Sequence, residues 1–192
     1  MKTKYVPAVL TLLFFVGFVF FVLNETAQAE EAMPEVTLTL PENEKHIEYL
    51  GIKGSPGETF SITDIDTDIL LIELFSMYCP YCQAEAPLIN EFYELASVQE
   101  KEQGIRIKVI GLGASNTQFE VDHFRDTYDV PFPLFPDKDL SMYKKFGGEG
   151  TPGFIGSLYK QGEKPVIVLR QSGGFQTAEG FLALLLQRAG YQ

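Results

Sequence analysis

The chain has no tryptophan, two histidines and two cysteines among its 192 residues. Two cysteines cannot build the multi-bridge framework that holds small secreted domains together. A structural zinc site needs four ligands, and His46 and His123 stand in no recognisable ligand spacing, so no metal is expected. Cationic residues are scarce as well: 15 Lys and Arg oppose 26 Asp and Glu, a formal net charge of -11. That balance disfavours phosphate backbones and anionic lipid, and nucleic acid drops out as a partner. Internal repeats and low-complexity tracts are absent too. What is present, 45% hydrophobic and 21% charged residues, is the composition of a chain with about one domain and a core to bury.

The N-terminus carries an address. Lys2 and Lys4 precede the apolar run Val6 to Leu23, and Ala27-Gln28-Ala29 supplies a small-x-small cleavage site before Glu30. Those eighteen apolar positions also suffice, as a helix, to cross a bilayer core of roughly 30 Å, with the lysines inside. Residues 1–29 are therefore a signal peptide or a membrane anchor, and either one places the remainder outside the cytoplasm. Without them the chain keeps 13 basic and 25 acidic residues.

Residues 30–50 read as a linker and N-terminal extension containing a short alternating strand, Val36 to Leu40, and residues 51–192 as the domain proper. Thr59 to Ile62 is a second short strand. Ile69 to Phe75 is almost continuously apolar, as expected of a strand covered on both faces. Apolar residues three or four apart from Pro80 to about Gln103 predict a helix ended by Gly104. Further strands are expected at Ile105 to Leu112, Phe132 to Phe135, Phe154 to Tyr159 and Val166 to Gln171. Helices are expected at Phe119 to Tyr128, Leu140 to Phe146 and Ala178 to Gln187. Strands alternating with helices, then a hairpin and a last helix, make an α/β fold: a mixed central sheet with helices on both faces.

One constellation carries chemistry. Cys79-Pro80-Tyr81-Cys82 holds both cysteines and sits where the apolar strand gives way to the long helix. A sulfur at a helix cap faces unpaired N–H groups and the positive end of the dipole, which favour thiolate over thiol. Pro80 suits the first helical position, where its missing N–H costs nothing. Cys82, one turn on, points back within reach of a disulfide, and such a pair exchanges electrons through a mixed disulfide. A permanent bridge here would be a weak staple, because so small a loop constrains the unfolded chain little.

These residues resemble the TlpA/ResA-like branch of the thioredoxin superfamily, the extracytoplasmic thiol-disulfide oxidoreductases. The likeness rests on the stretch Glu73 to Phe92, the segment Val130 to Gly147, Gly150-Thr151-Pro152, and Ser172 to Phe175 before a last helix; it reaches from about Gly51 to the C-terminus. It implies a thioredoxin-like fold, with Cys79 as the exposed attacking sulfur and Cys82 as the buried resolving one. It implies that Pro152 is a cis-proline beside the disulfide and that Thr151 offers main chain to an extended substrate, with Pro80 and Tyr81 also at the substrate face. No cofactor is expected beyond the redox-active Cys79–Cys82 disulfide. Expected partners are disulfide-containing exported proteins and a membrane or periplasmic thiol donor, with the enzyme a monomer in the periplasm or on the outer face of the cytoplasmic membrane.

Two carboxyls join the site as proton carriers. Glu73 lies in the apolar strand where thioredoxins keep a buried acid, and Glu85 lies where ResA-like members keep a glutamate. Burial raises a carboxyl pKa toward neutrality, so either could take a proton from Cys82. The bland readings are a strand residue turned to solvent for Glu73 and a dipole-stabilised surface residue for Glu85. No Lys or Arg lies between Asp64 and Glu100. The helix end alone offers roughly 0.3 to 2 kcal/mol, so a moderate Cys79 pKa is expected. Pro87 matches the family's helix-kinking proline, whereas Met77-Tyr78 replace its usual tryptophan.

The expected activity is reduction of substrate disulfides. The alternatives are a disulfide-forming oxidant or isomerase, a non-catalytic copper or thiol carrier, and a peroxiredoxin, whose lead-in resembles Gly51 to Phe60. Soft thiolates suit Cu(I).

Overall fold

The computed structural model describes residues 31–191. The expected signal or anchor, residues 1–29 with its run 6–23, lies outside them. Among the described residues no helix is long and apolar enough to cross a membrane.

Among the described residues eight strands and five α-helices follow one another as β1 (Glu31–Ala32), β2 (Thr37–Thr39), α1 (Glu44–Leu50), β3 (Thr59–Ser61), β4 (Ile69–Phe75), α2 (Pro80–Gln103), β5 (Ile107–Ala114), α3 (Gln118–Thr127), β6 (Leu134–Asp137), α4 (Ser141–Lys145), β7 (Gly153–Leu158), β8 (Val166–Ser172) and α5 (Ala178–Arg188). Six strands form one mixed sheet in the order β1-β8-β7-β4-β5-β6, and β2 pairs only with β3. β4, β5 and β6 run parallel, β7 runs antiparallel to β4, and β8 runs antiparallel to β7.

Every residue of β4 is buried, Glu73 included, as its almost continuously apolar run predicts. Successive side chains on a strand leave by opposite faces. Ile69, Leu71 and Phe75 therefore join one core with Ala86, Ile89 and Phe92 of α2, Val121 and Phe124 of α3, and Phe181 and Leu185 of α5. Leu70, Ile72 and Leu74 join the other, with Leu38, Ile47, Leu50 and Phe146. The long helices cover the first face; α1, α4 and the β2–β3 hairpin cover the second.

The extension read as a linker is packed against the domain. Glu31 and Ala32 pair with Ile167 and Val166, the Arg170 guanidinium binds the Glu31 carboxylate at 2.6 Å, and Met33 and Val36 are buried. Within the same stretch α1 is a complete helix: the Asn43 side chain accepts from the Lys45 N–H at 3.0 Å, and Gly51 closes it with φ 70°. Gly104, at φ 71°, ends α2 where expected; both glycines adopt a left-handed conformation that is costly for other residues.

Candidate active site

The sheet order brings four segments together at one end of the fold. β4 delivers Cys79 to the start of α2, β5 delivers Asn116, the loop before β7 delivers Thr151-Pro152, and β8 delivers Gly173 to Phe175. The Cys79 main chain is extended (φ -88°, ψ 113°), and its side chain occupies the N-cap of α2 with Pro80 directly after it. The Cys82 N–H donates to the Cys79 sulfur at 3.4 Å, so a backbone group that the helix cannot pair is satisfied by sulfur. The Cys79 thiol donates to the Thr151 carbonyl at 3.1 Å. Both cysteines are free thiols here; Cys79 is partly exposed and Cys82 fully buried.

That difference sets their acidities apart. Burial pushes the Cys79 thiol up, but hydrogen bonding from the Thr151 side chain, from Cys82 and from the Cys82 and Tyr81 backbone outweighs it, and its pKa falls below the ordinary thiol value. Hydrogen-bond donors thus supply what the missing cations do not. Burial raises the Cys82 thiol far above the ordinary value; its Ser76 hydrogen bond opposes this, and the neighbouring Cys79 and Glu73 reinforce it. One sulfur is poised to attack, and the other keeps its proton until something takes it.

Glu73 is completely buried, and neither of its carboxyl oxygens has a hydrogen-bond partner. Alternation along β4 sends it to the same face as Ile69, Leu71 and Phe75, the face on which Cys82 lies. Burial first, and the charge of Glu85 second, push its pKa up to about 8. Glu85 is buried too, so neither surface reading holds. Its carboxylate accepts the Phe175 N–H at 2.9 Å, and its pKa is raised by burial, with that bond pulling the other way. Gly174 lies directly against the Glu85 carboxyl group: a side-chain carbon there would overlap it, and Glu85 would have to shift. The same loop is fastened to the neighbouring segment, since the Gly173 N–H donates to the Pro152 carbonyl at 2.9 Å. Phe175 stacks on Phe181 with ring centres 4.3 Å apart.

The Thr151-Pro152 bond is cis. Pro80 follows Cys79 at the helix start, and Tyr81 is among the most exposed aromatic residues described. Pro87 lies inside α2.

Sequence reasoning missed Asn116. It is fully buried and accepts the Met77 N–H at 2.8 Å, while Gln83 donates to the Met77 carbonyl at 2.9 Å. Both main-chain groups of Met77, two residues before the reactive sulfur, are therefore held. The Glu120 carboxylate accepts from the Tyr78 hydroxyl and also caps α3 through Thr117. No sequence signal marks Asn116; in the fold it packs against Gly113, where a side-chain carbon would crowd Asn116 and Val121. Among the described residues no cluster of His, Cys, Asp and Glu has the makings of a metal site.

The profile described as the AhpC/TSA family matches residues 29–173. The chain belongs to the AhpC/TSA family. Thiol-disulfide oxidoreductase ResA of Halalkalibacterium halodurans is 29% identical over 135 residues, covering 69% of this chain and 71% of that one. ResA of Bacillus thuringiensis subsp. konkukian is 26% identical over 179 residues, 93% of this chain and 92% of its own. Among solved structures, a secreted Mycobacterium tuberculosis disulfide oxidoreductase homologous to E. coli DsbE superposes with a TM-score of 0.53 at 14% identity, covering 79% of this chain and 95% of that one. StoA from Bacillus subtilis gives 0.52 at 19% identity, over 78% and 96%. At such identities the structures establish the fold alone, which is thioredoxin-like.

Proposed function

We propose that this AhpC/TSA-family protein is a thiol-disulfide oxidoreductase that works outside the cytoplasm and, in its dithiol form, reduces disulfides of exported proteins. The observation that carries the reading is the asymmetric pair: Cys79 at the helix cap with a lowered pKa, and Cys82 one turn behind it, buried and protonated. The likeness to ResA proteins adds to it. The outward location rests on Lys2, Lys4 and the run Val6 to Leu23.

The Cys79 thiolate attacks one sulfur of the substrate disulfide; that bond breaks, and the departing thiolate takes up a proton. Cys79 is then joined to the substrate. Cys82 must next lose its proton in an apolar surrounding. The ionised fraction of Glu73, a minority below pH 8, accepts it. The Cys82 sulfur attacks that of Cys79, the second substrate thiolate leaves, and it is protonated in turn. The substrate has gained two electrons and two protons, and the enzyme ends with a Cys79–Cys82 disulfide that a thiol donor must reopen. Thr151 and Pro152 border the reacting sulfur. Extended main chain laid there gains hydrogen bonds without demanding a particular side chain, which suits several substrates.

Insulin reduction driven by a small dithiol tests the activity: turnover is expected, and its loss in Cys79→Ala. Stoichiometric Cu(I) binding without turnover would move the reading to a carrier, and peroxide consumption in its place to a peroxidase.

A further inference from the structure

On the far side of α3 from Tyr78, a cleft of about 650 Å³ opens between the β2–β3 hairpin and the outer edge of β6. Both of its walls are strand edges with unused main-chain groups. The hairpin bonds leave β2 from even-numbered residues: the Leu40 N–H donates to Glu58 at 2.8 Å, the Gly57 N–H to Leu40 at 3.0 Å, and the Ile62 N–H to Val36 at 2.9 Å. By alternation, the N–H and C=O groups of Thr37 and Thr39 face away from β3, and both residues line the cleft. On β6 the bonds to β5 come from odd-numbered residues, with Gly111 donating to Pro133 at 3.0 Å and Ser115 to Asp137 at 2.9 Å. Leu134 turns its N–H and C=O to the open edge and Pro136 its C=O alone, and both line the cleft.

The side chains give the cleft a net negative charge. Glu42, Asp122 and Asp126 border the cleft, and Arg125, the one cation among its described lining residues, is bound by both aspartates. His46 also lines it, nine-tenths buried, with an Nδ1 that has no partner. Leu38, Leu40 and Phe135 supply an apolar floor. Unpaired strand edges invite an extended segment, and the acids select cationic side chains on it.

We propose that this cleft is a docking site for an extended, cationic and partly apolar segment of the protein substrate, which pairs with the Thr37–Thr39 edge while the substrate's disulfide reaches Cys79 around α3. The assignment to substrate rests on the oxidoreductase reading; the binding itself does not. Docking would lower KM for substrates with a basic segment and leave the chemical step untouched.

The test uses the full-length protein in detergent and a short, fluorescent, cysteine-free peptide alternating lysine with valine, read by anisotropy against a counterpart with glutamate for lysine. The lysine peptide is expected to bind at least roughly tenfold more tightly, and to be released as salt rises. Asp122→Asn with Asp126→Asn should weaken it by roughly tenfold. Thr39→Pro removes an outward N–H that β3 does not use, so it should weaken the peptide by about tenfold with the melting temperature unchanged. With a disulfide placed in the lysine peptide, these variants should raise KM and spare kcat, while reduction of hydroxyethyl disulfide stays at the wild-type rate. Equal binding of the two peptides, or indifference to Thr39→Pro and to the aspartate changes, would overturn the proposal. Peptide binding without any insulin reduction would keep the docking site and discard the enzymatic reading instead.

Discussion

Replacing Glu73 with glutamine tests the buried acid directly. In the folded protein its carboxyl holds a proton up to about pH 8, whereas its unperturbed value is 4.5. Between those values folding takes up a proton, so the contribution of Glu73 to stability is fully present below pH 4.5 and is lost as pH rises through about 8. Each pH unit in that window is worth roughly 1.4 kcal/mol, and the whole window about 5 kcal/mol as an upper figure. Glutamine matches the shape of the neutral acid and does not ionise. Urea unfolding of Glu73→Gln and wild type from pH 5 to pH 9 should give curves within ~1 kcal/mol of each other at the acid end. They should diverge with rising pH until the variant is several kcal/mol the more stable. The variant should also lose the proton acceptor for Cys82, so the Cys79 mixed disulfide should persist roughly 100-fold longer. Parallel stability profiles would refute the buried, unpartnered carboxyl, and an unchanged lifetime of the mixed disulfide would refute its part in proton transfer.

Other expectations follow from the same geometry. Iodoacetamide should label Cys79 in the native protein with a pH midpoint below the ordinary thiol value, and should leave Cys82 unmodified until the protein is unfolded; peptide mass mapping reads both. Gly174→Ala should destabilise by about 1–3 kcal/mol because the new methyl meets the Glu85 carboxylate, and Glu85→Ala should restore part of the loss. Asn116→Ala leaves the Met77 N–H without its acceptor, at a cost of about 1–3 kcal/mol in urea unfolding, and should change the Cys79 alkylation rate as well. A stability loss with unaltered alkylation would remove Asn116 from the positioning of Cys79.

Much of this architecture is legible in residue patterns. β4 and α2 are plain because a short, almost wholly apolar run and a periodic stretch bounded by proline and glycine are strong local signals. α1 was hidden by its composition: only Ile47, Leu50 and the partly polar His46 and Tyr49 interrupt its charges, although Asn43 and Gly51 mark both of its ends. β5 runs two residues further than its apolar pattern suggests. Gly113 looks like a breaker there, but Val121 and Asn116 leave no room for a larger side chain at that position. β6 is displaced similarly, from Phe132–Phe135 to Leu134–Asp137, because its register is set by pairing with Gly111 to Ala114 and not by its own apolar content. Asp137 is buried there and accepts the Met142 and Tyr143 N–H groups at the start of α4.

The candidate site divides along the same line. Cys79 and Cys82 stand out because their spacing is local. The environments of Glu73 and Glu85 do not, since burial and the closeness of Gly174 and Phe175 are tertiary facts separated by about ninety residues of chain. Asn116 leaves even less trace, because its partner is a backbone N–H that sequence does not display.

Equilibration of the purified protein with mixtures of reduced and oxidised glutathione, quenched with acid and read by mass, addresses the central claim most directly. A reversible Cys79–Cys82 disulfide with a midpoint near -270 mV, that of a reductant such as thioredoxin, is the expected result. Thiols that never join at any glutathione ratio, or a bond that no ratio reopens, would contradict it.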